Sequence, residues 1–184
     1  CGGMDLIPVH HTNEIAQSEA VTGKKWVNYW LHNEFVVLGK KKMSKSSGEF
    51  VTLALLEEKG FNPLDYRYLC LGTHYRNPLM FSWEALESVK VSRNKLNDRV
   101  LELKGKGKVS KKYLKEFTAA VNDDLNTPKA LAVMWEMLKS SISDGDKYVA
   151  LLEIDAVFGL GLKDLKKEKI PASVTKLAKE RLKV

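Results

Sequence analysis

The chain has 184 residues, 44% of them hydrophobic, and 30 Lys and Arg against 23 Asp and Glu give it a net charge of +7. These values allow one ordinary domain or two small ones around a packed core, and two cysteines are too few for a disulfide scaffold. No apolar run approaches membrane-spanning length and no charged, apolar, small-residue leader is visible, so the expected setting is a reducing cytoplasm with no membrane partner.

Along the chain, Gly2 and Gly3 stand where a strand ends and Asp5 follows, a pattern that lets backbone approach a ligand closely. His10-His11-Thr12-Asn13-Glu14 then opens a helix expected to run to Thr22, with Gly23 as its C-cap. His10 and Glu14, at i and i+4, share one helical face, and an imidazole beside a carboxylate suits a divalent transition metal such as zinc. Two donors do not complete a tetrahedral site, and a plain surface hydrogen bond accounts for the same spacing. Trp26, Tyr29 and Trp30 fit either a substrate pocket or the core, and His32 ends the same stretch within possible reach of a nucleotide.

Phe35 to Leu38 reads as a buried strand and Gly39 to Lys42 as a turn, followed by Lys42-Met43-Ser44-Lys45-Ser46. Lys42 and Lys45 can cancel charge that develops on a polyphosphate, while the hydroxyls of Ser44 and Ser46 donate hydrogen bonds. This segment points to ATP, against the plainer reading of a solvated lysine turn. Beyond residue 50 nearly everything reads as helix. Thr52 caps one to Lys59, Asn62-Pro63 starts the next, Ser82 caps a long one to about Lys104, and three more begin at Ser110, Thr127-Pro128 and Asp144. Trp83 and Trp135 are core positions, and His74 is expected to fix a helix end.

Charge is concentrated in residues 90 to 115, where ten basic residues face only Asp98 and Glu102. The resulting +8 exceeds the charge of the whole chain. A second basic stretch covers residues 163 to 184, and both suit contact with RNA phosphates or, more plainly, a solvated surface.

Taken in order, Gly2-Gly3-Met4-Asp5-Leu6, His10-His11-Thr12-Asn13-Glu14-Ile15-Ala16-Gln17, Val27-Asn28-Tyr29-Trp30-Leu31-His32 and the lysine-serine segment closely resemble the cysteinyl-tRNA synthetases, a class I aminoacyl-tRNA synthetase family. The likeness continues through Tyr66-Arg67-Tyr68, Gly72-Thr73-His74-Tyr75-Arg76 and Asp123-Asp124-Leu125-Asn126-Thr127-Pro128-Lys129-Ala130. It implies cysteine-tRNA ligase activity, with L-cysteine, ATP and tRNA-Cys as partners and zinc and magnesium as cofactors. It also implies that His10 and Glu14 are metal ligands, that Gly2, Gly3 and Asp5 lie beside the adenylate with Ser44, Lys45 and Ser46, and that Lys42 and Lys45 are catalytic. His11 is left with a supporting or packing role. Lys104, Lys106, Lys108, Lys111 and Lys112 become the expected tRNA contacts.

The family's other two zinc ligands and its His-x-Gly-His signature do not occur in this sequence, and Cys1 stands where the family usually has glycine. The expectation is therefore a piece of a longer polypeptide, inactive by itself and monomeric. Its expected fold is mainly α with a small α/β part: a partial doubly wound, Rossmann-like nucleotide-binding domain over 1-50, a connecting helical region over 51-105 and a helical bundle over 106-184. Two rivals remain, the related ligase that joins cysteine to an amino-sugar inositol in mycothiol synthesis and a non-catalytic RNA-binding module.

Overall fold

The structure, a computed structural model, describes residues 1–38, 41–42, 51–166 and 181. Strand β1 (Gly2–Gly3) leads through a short 3-10 turn (Met4–Leu6) and a wide π-type turn (Ile7–His11) into helix α1 (Thr12–Thr22). Gly23 closes α1 in the left-handed conformation, φ 64°, and its N–H donates to the Glu19 carbonyl. Strand β2 (His32–Asn33) pairs in parallel with β1, which sets Gly2 opposite His32.

A second sheet has the order β4-β3-β5. Its centre is β3 (Val36–Leu38), antiparallel to β4 (Lys41–Lys42) and parallel to β5 (Leu79–Phe81). Lys41 and Lys42 thus extend a hairpin where the sequence suggests a turn, because their backbones complete the ladder against Leu38 and Val37. Strand β5 interrupts a region that reads as all helix. Three residues carry too little periodicity to reveal themselves, and only the parallel partner makes a strand of them.

The helices are α2 (Leu53–Glu58), α3 (Pro63–Leu71), α4 (Trp83–Glu102), α5 (Lys111–Asn122), α6 (Thr127–Lys139) and α7 (Asp144–Phe158). Thr52, Ser82 and Ser143 accept the N–H three residues on with their hydroxyls, and Asn126 does the same with its amide oxygen. Asn62 and Asp65 form a reciprocal capping box at α3. Asp65 does more than cap: fully buried, it also accepts the Arg93 Nε–H at 2.5 Å and ties α3 to α4.

Two apolar clusters result. One gathers Leu56, Leu69, Leu79, Phe81 and Leu86 against Val36, Leu38 and Trp83, so β3 shares its core with the helices beyond residue 50. The other joins Leu96, Val100 and Tyr68 to the inner faces of α5, α6 and α7 around Phe117, Met134, Met137, Ile154 and Phe158. Helix α4 belongs to both. Trp135 packs beside the second cluster and donates its indole N–H to the Tyr68 hydroxyl at 2.8 Å.

Candidate functional site

The wide turn of Ile7–His11 is what brings the histidines together. Pro8 stands in its first turn, and the Thr12 hydroxyl donates to the Ile7 carbonyl at 2.7 Å. His10 Nε2 then lies 3.6 Å from Glu14 Oε1, on an exposed face, as the i, i+4 spacing requires. His11, only 7% exposed, turns inward, yet one ligand atom from each of His10, His11 and Glu14 lies within 4.8 Å of the others. Two imidazoles and a carboxylate are borderline-soft donors of the kind zinc prefers.

His11 is better placed than a bare supporting reading of it suggests. Its Nδ1 is 2.7 Å from His32 Nε2, so one ring donates and the other must offer a lone pair. Burial first, and the neighbouring His32 next, lower the His11 pKa, which keeps the ring neutral. Trp30 completes the group, its ring 4.5 Å from His11 and stacked on His32 at 6.0 Å. His32 is thereby committed to His11. Trp26 and Tyr29, 44% and 92% exposed, are not core residues.

Gly2 makes room for this group. A methyl there would fall 2.8 Å from His11 Cε1 and 2.7 Å from Leu6 Cδ1. Its closeness therefore serves the protein's own side chains. Asp5 folds back over Gly3, where an added Cβ would meet Asp5 Oδ1 at 2.5 Å. Lys42 is the last residue of β4, while Ser44, Lys45 and Ser46 lie outside the described residues.

The lysines of the basic stretch fall on one exposed segment. Lys104, Lys106 and Lys108 belong to the α4–α5 connection, and Lys111 and Lys112 open α5, whose first turn holds no acidic residue. Lysines at the positive end of a helix reinforce one another as an anion-attracting spot. The connection is held close: a Cβ on Gly107 would collide with the Gly145 carbonyl carbon, and Lys108 donates its N–H to Asp146. Arg93 is withdrawn from this surface by Asp65, Lys90 lies over the Phe61 ring, and Arg99 pairs with Glu102. His74 fixes no helix end. It lies beyond α3, accepts the Arg76 N–H on Nδ1 and comes within 4.0 Å of Asp124.

Residues 1–91 match the family model of the class I (C) tRNA synthetase catalytic domain, and residues 116–141 match a DALR domain. The chain belongs to the class I tRNA synthetases. Within that class it is 46% identical, over 88% of its length, to the cysteine--tRNA ligase of Treponema denticola and 44% identical, over 89%, to cysteine--tRNA ligase 1 of Burkholderia lata. A cysteine--tRNA ligase of Treponema pallidum is 35% identical over 88% of the chain. The chain spans 38%, 35% and 39% of the lengths of these curated relatives. No helix among the described residues is long and apolar enough to cross a membrane.

Proposed function

We propose that this chain serves a cysteine-tRNA ligase, which activates L-cysteine with ATP and transfers it to tRNA-Cys. The observation that carries the reading is the donor cluster of His10, His11 and Glu14, set on a chain similar to cysteine--tRNA ligases over most of its length. His10 and Glu14 hold the metal. Zinc, when bound, supplies a Lewis acid soft enough to favour a cysteine thiolate strongly over a serine hydroxyl.

The chain's own residues do the rest. The His11–His32 contact, backed by Trp30, walls the metal-holding face and fixes the His11 ring beside His10. Lys42 leads from β4 into the lysine-serine segment, where Lys42 and Lys45 offset phosphate charge and Ser44 and Ser46 donate to the nucleotide. Asp5, with Gly2 and Gly3, borders the adenylate, and magnesium accompanies the ATP phosphates. Lys104, Lys106, Lys108, Lys111 and Lys112 meet tRNA phosphates, and they are all exposed, as that role requires.

The test uses the full-length protein that carries this chain. His10→Ala and Glu14→Ala should each lower bound zinc and cysteine-dependent pyrophosphate exchange together. Either variant retaining full zinc by elemental analysis, with unchanged rejection of serine, removes the assignment.

A further inference from the structure

The corner between α5 and α6 is held in a conformation that side chains disfavour. Asp124 and Leu125 both have φ 55°, the left-handed region, in two successive residues that are not glycine. The corner persists because it is bonded on all sides: Leu125 N–H to the Val121 carbonyl, Asn126 N–H to Ala120, Thr127 N–H to Leu125, and the Asn126 side chain to the Lys129 N–H. Backbone strain of this kind survives only where the surroundings over-determine it, and it gathers where a side chain must be aimed.

What is aimed is the Asp124 carboxylate. It accepts the Tyr75 hydroxyl at 2.5 Å and Arg76 through two bonds, Nε–H at 2.5 Å and a terminal N–H at 3.2 Å, across 48 to 49 residues of sequence. Side-chain exposures of 46% for Asp124 and 62% for Arg76 make this a poor stability device, since exposed ion pairs contribute little. Stability alone does not account for a strained corner that presents one carboxylate to three donors.

The loop it grips leads to the second sheet. The Tyr75 carbonyl accepts the Glu34 N–H at 2.8 Å, and the Phe35 carbonyl accepts the Leu79 N–H at 2.9 Å, immediately before β3 and β5 begin to pair. β3 in turn pairs with Lys41 and Lys42, and the lysine-serine segment follows in sequence. We propose that Asp124 is a positioning residue: by clamping the Tyr75–Arg76 loop it sets the β3–β5 ladder, and with it strand β4 that ends at Lys42, relative to the helical bundle. Its kinetic consequence rests on the ligase reading above.

Asp124→Asn separates the clamp from the corner, because asparagine tolerates the left-handed backbone while losing the charge. In the full-length protein, amides of residues 34–38 and 79–81 should exchange with deuterium about tenfold faster, while those of the α6 interior stay unchanged. The kcat of cysteine-dependent pyrophosphate exchange should fall severalfold, with KM for cysteine within about a factor of two of wild type and zinc content unaltered. Arg76→Lys, which keeps charge but loses the two-bond geometry, should show the same pattern more weakly. Unchanged exchange at residues 34–38 overturns the clamp, and equal acceleration in α6 reduces it to general stability. Faster local exchange with unaltered kcat overturns the positioning role. Wild-type protein without any cysteine-dependent exchange overturns the ligase reading alone, and the amide pattern then decides the clamp.

Discussion

Asp124 shows how far three donors can move one exposed carboxyl. Hydrogen bonds from Arg76 first, and from Tyr75 next, hold its pKa at about 2, against an ordinary 3.8. The same bond pushes the Tyr75 phenol upward. A carboxyl with a depressed folded pKa stabilises the fold in full above its unfolded value, and that contribution fades as pH falls from about 3.8 toward 2. Any melting advantage of the wild-type chain over Asp124→Asn should therefore be small at pH 5, as exposure requires, and should close between pH 4 and 2; a gap unchanged across that titration would remove the ionised carboxylate from the account. His74 also stands beside this carboxylate, its Nε2 within 4.0 Å of Asp124 Oδ2. At this scale the sequence shows His10 and Glu14 plainly, because i, i+4 is a local spacing. The His11–His32 contact joins positions 21 residues apart and follows only from the pairing of β1 with β2.

Among the elements, the α3–α4 pair depends on one buried contact. Replacing Arg93 with Ala would leave the buried Asp65 carboxyl without its charged partner, at a cost of about 3–5 kcal/mol. Asp65→Leu with Arg93→Met should recover most of that loss in urea titration, since an apolar pair needs no compensating charge. If the single change costs under about 1 kcal/mol, water reaches the site and the buried reading fails. The α4–α5 connection offers a second test. Gly107→Ala pushes a methyl into the Gly145 backbone, where neither side is a flexible side-chain end, and should destabilise the chain by about 1–3 kcal/mol. A neutral effect would mean that the connection is not packed on α7. Helix starts at Thr52, Asn62 and Ser82 are legible because capping is chemistry within four residues. That Gly107 serves close packing is not, because its partner is Gly145 on α7.

The whole molecule carries its cations unevenly, and folding sharpens the asymmetry by pairing Arg93 and Arg99 and leaving the lysines of residues 104 to 115 outward. Changing Lys104, Lys106, Lys108, Lys111 and Lys112 to Gln in the full-length protein should weaken tRNA binding and leave cysteine-dependent pyrophosphate exchange intact. The salt dependence of binding should flatten by about 0.7 to 0.9 log units for every phosphate the variant no longer neutralises. An unaltered slope across a salt titration would return the stretch to plain solvated surface. The loop ahead of β5 meets the bundle through Asp124, and α3 meets α6 through the Tyr68–Trp135 bond, neither of which sequence spacing announces.

By itself the sequence determined the helices, their caps, the i, i+4 spacing of His10 and Glu14, the lysine-serine segment and the concentration of positive charge. All of these are encoded by residues within a few turns of one another. Tertiary structure alone decided that Leu79 to Phe81 would be a strand, that Arg93 would be spent on Asp65, that His11 would face His32, and that a strained Asp124 would grip Tyr75 and Arg76. Each of these depends on partners 21 to 49 residues away, and a pairing at that separation is chosen by the packing of the whole chain, which local periodicity does not carry.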